Sequence, residues 1–279
     1  MNYLGPDQNL GTLHGITAEL DEGVLTISLD RPDQRNTMNV AMTLDMQRLL
    51  ESLTFDPLVR VIVLRGSGAG FCAGMDATDF WNLAQHDEPT LRAARHAADH
   101  WRYRLLRLLP QPVIAMVHGF CHGGAIGILE GCDIALTADT VQFSLAEADD
   151  DHVLTGAISK PISRVMTARA AAFHGLSGRP FAGREAERNG LVTLSFATED
   201  ELQSQTLALA RELVDKDADV LQFTKETIAH VGTMSWDAAL NYNAAKLAEL
   251  KSRQAGKLSP RAAAVASFLA GKSKPGMGG

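Results

Sequence analysis

The chain is predicted to be an α/β protein, with a layered core of strand–strand–helix units followed by an all-helical C-terminal region. Three observations predict this. Apolar runs of strand length, Val61-Ile62-Val63-Leu64 and Val113-Ile114-Ala115-Met116-Val117, alternate with stretches whose apolar residues recur at helical spacing. Two glycine-centred turns, Ala73-Gly74-Met75-Asp76 and His122-Gly123-Gly124-Ala125, each follow one of these runs, and the second opens a helix. Beyond Phe196 the strand-like runs stop and only helical spacing remains. A length of 279 residues with 46% hydrophobic and 21% charged side chains suits one large globular domain with an appendage.

Residues 1–14 are polar and irregular and read as a loosely held arm; the α/β core is placed at 15–196. Ile16 to Glu19 and Val24 to Leu29 form a hairpin around Asp21-Glu22-Gly23. Asn39 to Leu53 is a helix, with Met42, Leu44, Met46, Leu49, Leu50 and Leu53 at helical spacing. Strand Val61–Leu64 and the first turn follow, then a variable stretch from Ala77 to Pro89 and a long helix from Thr90 to Leu109. After strand Val113–Val117, a helix runs from Gly123 to Gly131. Strands Ile134–Leu136 and Val141–Phe143 then lead to Glu147 and a helix over 156–165. The C-terminal region, 197–271, reads as helices Glu199–Lys216, Val220–His230, Ser235–Lys251 and Ser259–Gly271. Ser235 is an N-cap, and the Gly-, Lys- and Pro-rich tail 272–279 is expected to be disordered.

A net charge of -7 argues against a nucleic-acid surface, yet leaves room for a polyanion held by backbone amides and a few local cations. No apolar run reaches membrane-spanning length and no basic-then-apolar leader opens the chain, so no membrane contact is expected. Cys72, Cys121 and Cys132 show no metal-like spacing and read as reduced thiols of a cytoplasmic protein. No metal site is expected.

The two turns carry the chemistry. Glycine lets a backbone approach a ligand closely, and a helix start leaves free N–H groups at the positive end of the dipole. Two such turns can aim two N–H donors at one oxygen, an oxyanion hole for charge developing on a carbonyl. Either turn alone is more often a packing device.

The chain resembles the crotonase (enoyl-CoA hydratase/isomerase) superfamily over nearly its whole length. The resemblance rests on Gly23 to Pro32 with Asn36, Gly70-Phe71-Cys72-Ala73-Gly74-Met75-Asp76, Pro112 to Gly119 and the Gly123-Gly124 turn. It continues through Cys132-Asp133-Ile134-Ala135, Phe143, Glu147, Gly178 to Phe181 and Gly190-Leu191-Val192. Within the superfamily it is most similar to the hydroxycinnamoyl-CoA hydratase-lyases, through Met75 and Trp101 to Arg107. The resemblance implies a crotonase-like spiral of strand–strand–helix units whose C-terminal helices pack a homotrimer or a dimer of trimers. The implied substrate is an acyl-CoA thioester, with coenzyme A entering as part of it and no permanently bound cofactor. The implied oxyanion donors are the N–H groups of Met75 and Gly124.

Hydratases of the superfamily use two glutamates. The position of the first, three residues after the oxyanion glycine, is here Gly127; the second matches Glu147. One carboxylate can shuttle protons between carbons, as in isomerases, or serve a lyase that hydrates an activated substrate. Without the resemblance Glu147 would read as a solvated loop carboxylate. Glu130 is the alternative acid, one helical turn further on, and reads as a helix-face residue. Asp149, Asp150 and Asp151, followed by His152, read as a solvated turn capping the next helix. A second acid or an aspartate nucleophile, as in aryl-CoA dehalogenases or a hydrolase, is the competing enzymatic reading. A non-catalytic acyl-CoA-binding subunit is the reading outside catalysis.

The resemblance places coenzyme A against Gln34, Ala73 and Met75, with Arg35 and Lys225 as candidate phosphate cations. The acyl pocket is placed at Phe80, Trp81, Trp101, Gly127, Ala146, Asp150 and Tyr242. Hydroxycinnamoyl enzymes recognise a phenolic hydroxyl with tyrosines; Phe80 stands at one such position and Tyr242 near the other. The three aromatic residues Phe80, Trp81 and Trp101 read equally as plain core. His122 could touch the thioester or simply pack.

Overall fold

The first hairpin shows how local sequence fixes the sheet. Strands β1 (Ile16–Asp21) and β2 (Val24–Leu29) pair antiparallel from Ile16 opposite Leu29 to Asp21 opposite Val24. Glu22 and Gly23 between them both have positive φ, 45° and 84°, the handedness that a two-residue hairpin turn needs to match strand twist. The computed structural model describes residues 3–6, 10–145, 154, 156–255, 265 and 267–271.

From β2 the sheet continues in parallel through β3 (Val61–Gly66), β4 (Val113–Val117), β6 (Ile134–Ala138) and β9 (Leu194–Phe196), in the order β1-β2-β3-β4-β6-β9. Every residue of β4 is buried, as its unbroken apolar run requires of a strand covered on both faces. A smaller sheet holds β5 (Phe120–His122), β7 (Gln142–Ser144) and β8 (Phe181–Ala182), in the order β5-β7-β8. The two sheets make the expected α/β layers.

Helix α1 (Val40–Ser52) is capped by Asn39, whose side chain accepts from Met42 N at 2.9 Å. The stretch expected to be variable is instead helix α2 (Ala77–His86), capped by Asp76. It buries no residue, and its start is marked by the Asp76 cap, whose Oδ1 accepts from Asp79 N at 3.2 Å. The long helix begins earlier than expected, as α3 (Glu88–His100), and passes through a π-helical turn at Trp101–Leu105 into the short α4 (Leu106–Leu108). Gly123–Ala125 forms a 3₁₀ turn that leads into α5 (Ile126–Gly131). Helices α6 (Gly156–Val165), α7 (Ala168–Ser177) and α8 (Gly183–Asn189) follow. Helix α9 (Glu199–Val214) then covers the main sheet, with Leu202 and Ala210 buried.

The arm is more firmly held than its composition suggested. Tyr3 donates its N–H to Ala18 O at 2.6 Å, its buried hydroxyl bonds Asp56, and Leu13 is buried. The chain divides into two units, Met1–Lys225 and Glu226–Gly279, later than the expected change at 196/197. The reason is α9: its apolar face is covered by the chain's own sheet, so it stays with the core. Helix α10 (Ala218–Val231) carries the division. In the second unit, α11 (Trp236–Arg253) is capped by Ser235 and buries none of its side chains. The helix expected over Ser259–Gly271 and the tail 272–279 fall mostly or wholly outside the described residues.

Candidate active site

The first turn is fixed by the polar residues that precede it. Asn36, itself at positive φ, donates from Nδ2 to Ser67 O at 2.8 Å and Gly70 O at 2.9 Å, and its Oδ1 accepts from Arg31 N at 2.9 Å. Met38 N donates to Gly74 O at 2.8 Å, and Asp76 N donates to Met38 O at 3.0 Å. These bonds bracket Met75. The Arg31–Asp76 ion pair, at 3.0 Å, ties the loop to the start of α2.

The second turn lies beside the first. Cys72 N donates to Phe120 O at 3.3 Å, and His122 N donates to Cys72 O at 3.0 Å, so the two segments run parallel. Gly74 has φ of 100°, a conformation open to glycine, and a β-carbon there would lie 3.1 Å from His122 O. A β-carbon on Gly124 would stand 3.8 Å from Met75 N and 3.4 Å from Met75 Cγ. Among the described residues, no backbone hydrogen bond outside the helices and strands uses the Met75 or the Gly124 N–H. Two backbone nitrogens from distant parts of the chain therefore lie close together.

Gln34 and Arg35 are exposed, and Ala73 N donates to Arg35 O at 3.0 Å, which joins two of the residues expected to meet coenzyme A. The Arg35 guanidinium lies 4.8 Å from the centre of the Phe120 ring, with Nη2 3.2 Å from His122 Nδ1. Burial, then the Arg35 charge, hold the His122 imidazole below its ordinary pKa.

Other expected residues go elsewhere. Lys225 is not free to meet a phosphate: its buried Nζ pairs with Asp133 at 2.8 Å and donates to Leu106 O at 2.9 Å and Gln111 O at 3.0 Å. Trp101 packs wholly in the core, whereas Trp81 is exposed and Phe80 half-buried on α2. Gly127 is buried on α5. Tyr242 lies on α11 in the second unit, its ring edge toward His230. Glu130, read as a helix-face residue, lies on α5 and is buried there, paired with Arg107 and, at 2.9 Å, with Arg164. Two flanking cations supply the charge that its burial demands. Ala146, Glu147, Asp149, Asp150, Asp151 and His152 lie outside the described residues. Burial pushes the Cys72 thiol up to about 12 and the Cys121 thiol well above its ordinary value, which leaves both as poor nucleophiles.

Arg102, not among the residues expected at the site, is buried with its Nη1 donating to Gly124 O at 3.0 Å. The available signal was a charge embedded among Ala98, Trp101, Leu105 and Leu106 on one helix.

The layered α/β fold is that of a class of enzymes acting on CoA thioesters. The chain belongs to the enoyl-CoA hydratase/isomerase family, which matches residues 19–266. It is 32% identical over 264 residues to the hydroxycinnamoyl-CoA hydratase-lyase of Pseudomonas fluorescens, covering 94% of this chain and 95% of the relative. It is 28% identical over 241 residues to the peroxisomal Delta(3,5)-Delta(2,4)-dienoyl-CoA isomerase of Arabidopsis thaliana, covering 83% and 86% respectively. Among solved structures, AtuE of Pseudomonas aeruginosa superposes with a TM-score of 0.82 at 27% identity, covering 92% of this chain and 96% of that one. An enoyl-CoA hydratase of Mycobacterium smegmatis shares the fold, with a TM-score of 0.80 at 23% identity over 92% of this chain and 97% of that one. The chain is thus an enzyme of this family, of the lyase or isomerase kind. Among the described residues no helix is long and apolar enough to cross a membrane.

Proposed function

We propose that the enzyme holds the carbonyl oxygen of an acyl-CoA thioester between the N–H groups of Met75 and Gly124 and moves protons with the Glu147 carboxyl alone. Attack at the conjugated carbon, or loss of the adjacent proton, drives charge onto that oxygen. Each backbone donor aimed at the oxygen is worth about 3–4 kcal/mol in the transition state. With Gly127 where a second carboxylate would stand, the single-acid pattern suits water addition to an activated acyl chain followed by carbon–carbon cleavage. The 32% identity to a hydroxycinnamoyl-CoA hydratase-lyase favours that reaction over isomerisation. Gln34, Arg35 and Ala73 are the proposed coenzyme A contacts, with Arg35 the phosphate cation.

The observation that carries this reading is the approach of the Met75 nitrogen to Gly124. It is tested by absorbance scans with crotonyl-CoA and cinnamoyl-CoA. Loss of the conjugated band on either substrate supports hydration or cleavage. Tight binding of both with an unchanged band would overturn it in favour of a binding subunit.

A further inference from the structure

Arg102 opens a question that its neighbours answer. It lies in the π-helical turn Trp101–Leu105, a rare local winding that is enriched at functional sites. Its side chain is 3% exposed, whereas its acidic partner Asp99, 3.3 Å from Nη2, is 63% exposed. A buried cation whose counter-charge sits largely in water is costly unless further hydrogen bonds satisfy its donors. The remaining bonds go to the backbone: Nε donates to Ala98 O at 2.8 Å and Nη1 to Gly124 O at 3.0 Å. A β-carbon on Gly124 would be 3.2 Å from Nη1 and 3.8 Å from Met75 N. The guanidinium and the first-turn nitrogen thus flank the same glycine.

We propose that Arg102 is a positioning residue of the oxyanion turn. It fixes the Gly124 carbonyl, and so the orientation of a flexible Gly-Gly backbone, and it sets a buried positive charge behind the two N–H donors. Gly123 has a φ of 51°, and without a tether this glycine pair has many alternative conformations. A fixed charge in a dry site acts on a developing oxyanion far more strongly than one in water. The inference rests on the reading of Met75 and Gly124 given above.

The test uses bound cinnamoyl-CoA, whose conjugated absorption moves to the red when its carbonyl is polarised, in a Glu147→Gln background that limits turnover. Arg102→Met removes both hydrogen bond and charge, Arg102→Gln keeps a neutral donor, and Arg102→Lys keeps the charge. The red shift is expected to fall by at least about half in Arg102→Met, and in the order arginine, lysine, glutamine, with the dissociation constant within about threefold. With Glu147 restored, the loss appears in kcat, about 10- to 100-fold, and not in KM. A folded Arg102→Met with an undiminished red shift would overturn the proposal. If that variant does not fold, an Arg102→Gln shift equal to that of arginine does the same. A bound probe that shows no red shift even with Arg102 present removes the oxyanion reading itself, and this inference with it.

Discussion

A β-carbon on Gly74 would lie 3.4 Å from the backbone nitrogen of Gly124. That proximity brings two turns from separate strands together, so that a side chain added at either turn stands close to the backbone of the other.

Gly124→Val is therefore expected to lower turnover by at least about 10²–10³-fold, since the side chain displaces the substrate oxygen from its donors. Gly124 does not need positive φ, and its nearest neighbours are the ends of Arg102 and Met75, so the variant should fold. Gly127→Ser, to which no chemistry is assigned, should be much milder. Kinetics and circular dichroism on both variants check this. A folded Gly124→Val with near-native turnover would refute the oxyanion reading.

Glu147→Gln is expected to remove about 10²–10⁴-fold of the activity and to leave coenzyme A binding nearly unchanged. Steady-state kinetics with calorimetric titration of coenzyme A separate the two effects. Activity within about tenfold of the parent would return attention to the aspartates at 149–151.

Lys225→Met is expected to cost about 3 kcal/mol of stability, because it leaves Asp133 and two carbonyl groups without their shared cation. Affinity for coenzyme A should be unaffected in the fraction that folds. Pairing the change with Asp133→Leu should recover part of the loss. Denaturant unfolding of the single and double variants measures this, and weakened coenzyme A binding alone would restore Lys225 to the binding site.

His122 predicts a pH dependence of stability. Burial and the Arg35 charge hold its folded pKa below the ordinary 6.5, so the unfolded chain takes up the proton first. Its contribution is fully present above about 6.5 and is lost as pH falls toward the lower folded value. His122→Phe should therefore flatten the decline in urea midpoint between about pH 7 and pH 5. An unchanged slope would show that His122 does not titrate in this way.

The residues after Phe196 are expected to assemble a homotrimer or a dimer of trimers of the 30.0 kDa chain. Leu202 and Ala210 face the chain's own sheet, but Ile228, Trp236 and Leu240 are exposed and α11 buries nothing within its own chain. These exposed apolar side chains call for a partner surface. Sedimentation should give a trimer or hexamer that Leu240→Glu weakens; a dilution-stable monomer would refute the assembly.

Most of the strands and turns could be read from sequence because each is signalled locally. Glu22-Gly23 sets its hairpin, Asn39 and Ser235 cap their helices, and Val113–Val117 can be buried only as a central strand. Helix α2 stands where the sequence suggests only a variable stretch, and the Asp76 cap is its local signal. The start of α9 is legible in its spacing, but helical spacing shows that a face is apolar and not what covers it.

The sequence by itself determined the α/β class, the family and the two glycine turns, since these depend on periodicity, on backbone freedom and on motifs contiguous in the chain. Only the tertiary structure decided which charges are spent internally. Lys225 pairs with Asp133, Glu130 bridges Arg107 and Arg164, and Arg102 turns inward to Gly124. Each of these contacts joins residues on different elements, and for Lys225 and Glu130 the cost of burying a charge is met by a neighbour that local spacing does not reveal.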